Sequence, residues 1–316
     1  MISVNRRAAE IVRQMIGDRE ALGIGVDQLD NGTTVVDAGV EVPGSLEAGR
    51  LFATACLGGL GKVEFTQQIF EKLRISAVAA NVSQPPIACM ASQYAGWSIR
   101  LGGYFAIGSG PARALFAGEE LYKKLDYRDR SETAILMLET RELPDMQVAS
   151  FVAEKCGVQP EQLAILIAPT ASLVGSVQIA ARSAETGMHK MAELGFDIRK
   201  VVAAFGICPL APVASDDLHA IGRTNDAILY GSQVFYSVNA EDEELAALIE
   251  RIPSAGSRDY GTPFYELLMR YKGDFFQIDR LLFSPAQVEI NNLTSGRTFR
   301  AGSLNPSMIQ ASLLGS

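Results

Sequence analysis

The chain has 316 residues, of which 48% are hydrophobic and 20% are charged, and its net charge at pH 7 is −8. This composition is typical of a globular protein with one large domain or two ordinary ones. The acidic balance and the lack of a basic run argue against a nucleic-acid partner. No segment approaches 18 consecutive apolar residues, and residues 1–14 lack the apolar core of a signal peptide, so we expect no membrane span and no export.

Cysteine and histidine usage bounds the redox and metal chemistry. The cysteines have no Cys-x-x-Cys spacing, as in reduced and buried thiols; they are Cys56, Cys89, Cys156 and Cys208. The two histidines, His189 and His219, are too few for a histidine-rich metal site. We therefore predict a cytoplasmic protein without a metal. A cysteine–histidine nucleophile pair is conceivable, but no spacing selects one.

The predicted elements begin with a helix over residues 3–22 and a hairpin around Asn31-Gly32, because Asn-Gly between β-favouring runs is a strong hairpin signal. Further strands are predicted at 51–56, 75–82, 104–107, 134–138, 163–168, 201–207, 233–238, 287–290 and 297–300. Further helices are predicted at 85–97, 111–125, 144–156, 216–230, 241–251 and 262–271. One long helix is predicted within 169–195, with Thr170 or Ser172 as its N-cap.

This mixture of helices and strands predicts the α/β class. The interspersed hairpins argue against a simple doubly wound parallel sheet, and we expect mixed layers. No internal repeat or flexible linker is visible. We predict two closely packed domains, residues 1–165 and 166–316; no linker fixes this boundary, and either domain can be discontinuous.

Four polar side chains share one predicted face of the helix within 169–195: Gln178, Arg182, Glu185 and His189. The neighbouring positions are mostly Ala, Ser, Thr and Gly, which let a backbone or a ligand approach closely. A carboxylate and a guanidinium one turn apart can act as a proton acceptor and its positioning partner. The alternatives are an ordinary surface helix with one weak ion pair, or a metal site at Glu185 and His189 that lacks further ligands.

Two glycine-rich segments invite comparison with phosphate-binding loops. GGLGK at 58–62 lacks the first glycine and the Ser/Thr of such a loop, so its glycines predict tight turns or close approach of another segment. GSGPAR at 108–113 leads from a strand into a helix, a geometry in which Ser109 and Gly110 can hold an anion and Arg113 can add donors. The alternative is a glycine turn into a capped helix.

The most specific signal is a set of long runs in a fixed order that covers the chain to about Gly302. The runs are NGTTVVDAGVE (31–41), GSLEAG (44–49), CLGGLG (56–61), YFAIGSGPARAL (104–115), APTASLVGSVQIAARSAETGMHKM (168–191), PLAPVASDDLHAIGRTNDAILYG (209–231), DYGTPFYE (259–266) and FSPAQVEINNLTSGRTFRAG (283–302). Together they resemble the methenyltetrahydromethanopterin cyclohydrolase family.

The resemblance implies an enzyme that interconverts a cationic methenyl pterin coenzyme and water with the formyl coenzyme, without a metal or prosthetic group. It also implies a cytoplasmic homotrimer, each subunit having two tightly associated α/β domains with the pterin in the cleft between them. The family's catalytic arginine and glutamate fall on Arg182 and Glu185. Two alternatives stay open: a non-catalytic pterin-binding protein, and a cyclohydrolase that acts on the tetrahydrofolate analogue.

The remaining candidate residues are expected to contact the substrate: Gln178, His189, Ser109, Gly110, Arg113 and Tyr94. Tyr94 marks a departure from the resemblance, because many family members carry a lysine immediately before the Ala-Gly-Trp run that here begins at Ala95. Any role of that lysine therefore does not transfer to this chain.

Overall fold

The structure is a computed structural model that describes residues 2–71, 73–274 and 277–315. It divides into two compact units whose chain segments interleave. The first unit is Met1–Lys62 with Pro86–Gln178, and the second is Val63–Pro85 with Ile179–Ser316. This division differs from the predicted boundary between residues 165 and 166. Residues 63–85 belong to the second unit although they come early in the chain, and the chain enters the second unit again only after Gln178.

The strands in chain order are Gly25–Gln28 (β1), Thr34–Asp37 (β2), Gly61–Phe70 (β3), Leu73–Ser83 (β4), Trp97–Leu101 (β5), Tyr104–Ser109 (β6), Ala134–Glu139 (β7), Leu163–Ile167 (β8), Val201–Pro209 (β9), Gln233–Val238 (β10), Gln287–Asn292 (β11) and Thr298–Gly302 (β12). The α-helices are Val4–Gly17 (α1), Arg19–Leu22 (α2), Leu46–Cys56 (α3), Ala112–Phe116 (α4), Leu121–Leu125 (α5), Met146–Cys156 (α6), Leu173–Ala180 (α7), Ser183–Glu193 (α8), Asp217–Gly231 (α9), Asp242–Leu248 (α10), Phe264–Arg270 (α11) and Pro306–Ile309 (α12). Pro86–Gln93 and Gln310–Leu314 are π-helical. In the described part of the chain, no helix has the length and apolar character that a bilayer crossing requires.

The first unit is built on a mixed sheet with the order β1-β2-β8-β7-β6-β5. Its centre, β2-β8-β7, is parallel, while β1, β6 and β5 join antiparallel. All five residues of β8 are buried, as expected for a strand covered on both faces. Ile135 and Met137 of β7 pack with α1 and α3, whereas Leu136 packs with α6, so alternate side chains of one strand enter two cores.

The second unit is built on a mixed sheet with the order β12-β11-β10-β9-β4-β3, in which β10 and β11 are parallel. Val234, Tyr236 and Val238 alternate on one face of β10 and are buried, and α8 contacts this strand. On the alternate positions Phe235 is half-buried, and its register partner Phe205 on β9 is exposed. Within the described residues, this face of the sheet is therefore only partly covered.

The predicted α/β class, with mixed sheets and hairpins, is confirmed. The predicted strand at 51–56 is wrong, because these residues lie in α3, which Ser45 caps by accepting a hydrogen bond from the Ala48 N–H at 3.1 Å. The predicted helix 85–97 ends at Gln93, since Trp97 begins β5 and pairs with β6. The long strand β3 was not predicted.

A buried carboxylate in the second unit gives a pH-dependent stability. Asp226 accepts hydrogen bonds from Ser312 Oγ at 2.6 Å and from the Phe264 N–H at 2.8 Å. Burial raises the pKa of Asp226 to about 6, and the Glu266 charge contributes, although both hydrogen bonds act in the opposite direction. Since the unfolded pKa is near 3.8, the folded state loses stability as pH rises from about 4 to about 6, and the loss persists above that.

Replacing Asp226 with asparagine is expected to remove this cost, because the amide keeps an acceptor for Phe264 while Ser312 turns to accept. Relative to the parent chain, D226N gains about 2–3 kcal/mol between pH 4 and pH 7.5, at about 1.36 kcal/mol per pKa unit. Urea unfolding across this pH range measures it, with the exposed Asp27→Asn as control. Parallel stability curves for D226N and the parent chain would contradict the assignment.

Candidate active site

The predicted long helix within 169–195 is two helices, and the break falls at the candidate catalytic residues. Helix α7 ends at Ala180 and α8 begins at Ser183, with Arg182 as its N-cap at φ −89° and ψ 0°. The Arg182 N–H donates to the Ile179 carbonyl at 2.9 Å, a tightened turn that ends α7. Gln178 therefore lies on α7 in the first unit, and the prediction of one continuous helix is wrong.

Arg182 and Glu185 meet at the start of α8. Arg182 Nη1 lies 3.7 Å from Glu185 Oε2, and only 10% and 6% of the two side chains are exposed. Glu185 is in the first turn of the helix, where the positive end of the helix dipole favours a negative charge. The result is an Arg–Glu ion pair that is largely shielded from water and held by a helix rather than a loop.

Close packing on the second sheet fixes the start of α8. The buried Tyr236 hydroxyl on β10 donates to the Ala184 carbonyl at 2.7 Å. Gly187 lies directly over this hydroxyl, where a side-chain methyl would clash. Gly206 on β9 lies under Ser183, and a methyl there would clash with the Ser183 hydroxyl and approach the Ala184 nitrogen to 3.1 Å. Two glycines thus let α8 pack on the sheet at this depth.

Substituting Gly187 with alanine is expected to lower turnover by about tenfold or more, equivalent to about 1.4 kcal/mol, because it lifts the first turn of α8. The added methyl displaces the Tyr236 hydroxyl from Ala184, so Tyr236→Phe in the same chain should restore part of the loss. Steady-state kcat of both variants measures this. The control is Gly17→Ala, where a methyl meets nothing within 4 Å. Unchanged kcat in G187A would reject this support role.

His189 lies further along α8 than Arg182 and Glu185. Its Nε2 is 3.8 Å from Glu193 Oε1. Burial lowers the pKa of His189, and the Arg280 and Lys190 charges act in the same direction while Glu193 opposes them. The imidazole is therefore neutral at pH 7 and presents one donor and one acceptor. Its contact with substrate stays a prediction.

The Arg113 side chain stabilises the interior of the first unit and is not exposed for binding an anion. It has no exposed surface, and its Nε and Nη2 donate to the two Glu119 oxygens at 2.8 and 2.6 Å. Nη1 donates to the Met90 and Ser92 carbonyls at 3.2 and 3.1 Å. The Tyr94 ring stacks against the guanidinium, 5.1 Å from Cζ to ring centroid. These contacts use each of the three guanidinium nitrogens, so the geometry does not fit the predicted anion-binding role.

The other two residues of the predicted anion site also form internal contacts. The Gly110 N–H donates to the Ser92 carbonyl at 2.8 Å, and the buried Ser109 hydroxyl lies 3.5 Å from Cys56 Sγ. The helix that follows, α4, has only five residues. This segment is a glycine turn that leads into a short helix, the alternative interpretation of its sequence.

Sequence reasoning missed Glu139, the last residue of β7. Its carboxylate accepts a short hydrogen bond from Thr170 Oγ1 and a longer one, 3.4 Å, from Gln178 Nε2. The available signal was its position, as the first polar residue after the buried run AILML. The sequence suggested Thr170 only as an N-cap, whereas its hydroxyl donates to the Glu139 carboxylate. Ser172 caps α7 by accepting a hydrogen bond from the Gly175 N–H at 2.9 Å.

Comparison with known proteins agrees with the resemblance drawn from the sequence. The family model described as Cyclohydrolase (MCH) matches residues 3–313. Similar proteins named methenyltetrahydromethanopterin cyclohydrolase come from Methanocaldococcus jannaschii, at 44% identity over 99% of this chain and 98% of that protein. Others come from Methanococcus maripaludis, at 46% identity over 99% and 98%, and Methanothermobacter marburgensis, at 44% over 99% of both chains. With matches of this extent, the chain belongs to the MCH cyclohydrolase family.

Proposed function

We propose that this protein hydrolyses methenyl-tetrahydromethanopterin to formyl-tetrahydromethanopterin and also catalyses the reverse reaction. Membership of the MCH cyclohydrolase family and the names of the similar proteins support the substrate. The observation that carries the chemistry is the shielded Arg182–Glu185 pair at the start of α8. It offers a carboxylate and a fixed cation at a rigid position, as proton transfer from water requires.

Glu185 is the proposed proton carrier. The methenyl carbon lies between two nitrogens of a delocalised cation and is already electrophilic. As water attacks this carbon, Glu185 accepts one water proton, and a neutral tetrahedral adduct forms. Glu185 then passes that proton to the departing nitrogen while the C–N bond breaks, and the hydroxyl of the adduct loses its proton to solvent as the formyl C=O forms. The negative charge of Glu185 also stabilises the bound cation.

Arg182 is the proposed partner that orients Glu185. At 3.7 Å its guanidinium limits the positions that the carboxylate can take, and it compensates the negative charge that Glu185 regains once its proton has passed to the departing nitrogen. Because the substrate carbon needs no further activation, we propose that the reaction uses neither a metal nor a cofactor. Tetrahydromethanopterin serves as carrier and substrate.

We also propose that the protein is a cytoplasmic homotrimer. The partly covered face of the second sheet supports the association, since Phe205 and Phe235 lie side by side there in register. Light scattering coupled to size-exclusion chromatography tests the prediction. A mass near 34 kDa, that of one 33.9 kDa chain, would reject it.

The loss of methenyl absorbance on addition of enzyme tests the function, with the methanopterin and the folate coenzyme compared in parallel. Rapid loss with the methanopterin coenzyme is the expected result. Preference for the folate coenzyme would reassign the substrate. Binding without any absorbance loss would favour the non-catalytic pterin-binding alternative.

A further inference from the structure

Glu139 lies at the carboxyl end of a strand in the first unit, the place where α/β sheets commonly bind ligands. It ends β7, which forms the parallel centre of the sheet with β8 and, beyond β8, β2. Side chains and turns beyond the carboxyl ends of parallel strands form the common binding edge of such sheets. Thr170 reaches the same carboxylate from the turn after β8, and Gln178 reaches it from α7. Three elements thus converge on one acidic side chain.

The contacts of Glu139 hold its carboxylate without neutralising it. Thr170 and Gln178 are 4% and 3% exposed, so both donors are fixed by burial. Both are uncharged. Within the described ranges 2–71, 73–274 and 277–315, no lysine, arginine or histidine forms a salt bridge with Glu139, which is itself half-buried. A half-buried charge without a cation is costly, and a ligand that brings N–H donors or positive charge relieves that cost.

We propose that Glu139 binds the 2-amino-4-oxopyrimidine edge of the pterin, accepting hydrogen bonds from the ring N3–H and the 2-amino group. This inference rests on the proposed function. A carboxylate has about four lone-pair positions, and the two protein donors use two of them. One donor reaches each oxygen, so each oxygen keeps an acceptor position, and together the two can accept a pair of parallel N–H donors, as in the paired bonds between arginine and carboxylate. Thr170 and Gln178 act as positioning residues for Glu139.

Replacing Glu139 with glutamine tests the contact, because the amide turns an acceptor into a donor that opposes a ligand N–H. The pyrimidine edge is the same in the cationic methenyl substrate and the neutral formyl product. We therefore expect E139Q to raise KM about 10- to 100-fold in both reaction directions, the size of a lost charge-assisted hydrogen bond, with kcat changed far less. Thr170→Val should give a smaller rise in KM in both directions.

The control is Glu142→Gln, an exposed carboxylate three residues further on, which should leave KM unchanged. Thermal unfolding of each variant separates a lost contact from a damaged fold. A rise in KM for the methenyl substrate alone would overturn the proposal, since Glu139 would then balance the cation. An unchanged KM, or a fall in kcat alone, would overturn it as well.

The test also distinguishes this inference from the proposed function. If the parent chain turns over the methenyl coenzyme and E139Q keeps its KM, only the inference fails. If the parent chain has no turnover, the proposed reaction fails, and direct titration of the coenzyme by fluorescence still compares its Kd between the parent chain and E139Q. Equal Kd values there would overturn the contact.

Discussion

Replacing Glu185 with glutamine is expected to lower kcat for methenyl hydrolysis by about 10²- to 10⁴-fold, the usual contribution of a general acid–base group. The amide keeps the size and position of the carboxylate at the start of α8 but can neither accept a proton from water nor return one to the departing nitrogen. KM should change much less, because the coenzyme's contacts away from the reacting carbon remain. Absorbance assays under saturating substrate measure the loss.

A matched control separates this chemistry from a general effect of removing a helix carboxylate. Glu243 is an exposed residue in the first turn of α10, in the same unit, and E243Q should retain parent turnover. The E185Q variant should still bind the coenzyme. Near-parent kcat in E185Q would exclude Glu185 as the proton carrier and would also show that its negative charge is not needed for turnover.

Removing the Arg113 side chain by substitution with alanine is expected to destabilise the first unit by about 3–5 kcal/mol, the usual cost of breaking a buried ion pair from one side. Glu119 would lose both of its guanidinium donors, and the Met90 and Ser92 carbonyls would lose theirs. Trp97 is the single tryptophan of the chain and stacks on Phe116 at 4.7 Å, so its fluorescence reports on the same unit during urea unfolding.

Two further variants make the Arg113 result specific. Combining Arg113→Met with Glu119→Gln removes both charges and should recover part of the stability, because no uncompensated charge remains. Arg130→Ala, at an exposed arginine of the same unit, should change stability by less than about 0.5 kcal/mol. Unchanged unfolding of R113A together with a raised KM would instead restore the anion-binding role predicted from the sequence.

Sequence patterns predicted an element correctly where residues close in the chain determine its structure. The Asn31-Gly32 turn correctly placed the first hairpin, and the apolar runs near 134 and 163 correctly placed β7 and β8. The run at 51–56 failed because a short apolar segment fits a buried strand and a buried helix equally well. There the deciding signal was the Ser45 cap six residues earlier.

The geometry of the candidate site was harder to predict from the sequence, because its contacts join residues that are far apart in the chain. The break before α8 accompanies the close approach of Gly206, which lies 23 positions after Ser183 and on another element. The sequence around Arg113 resembles an anion-binding loop. Only the contacts of Arg113 with Glu119 and Tyr94 show that its role is structural. Glu139 and Gln178 come together only once the order of β7 and β8 in the sheet is known.

The interleaved course of the chain has a consequence for its synthesis. Strand β4 is made early but pairs with β9, which begins about 120 residues after β4 ends, so its hydrogen-bonding edge lacks that partner until β9 has emerged from the ribosome. During that interval an alternating, partly apolar edge is available for wrong pairing with other chains. For the same reason no single cut yields both units intact: a fragment ending at Gln178 keeps the β3–β4 segment without its sheet, and the complementary fragment lacks those two strands.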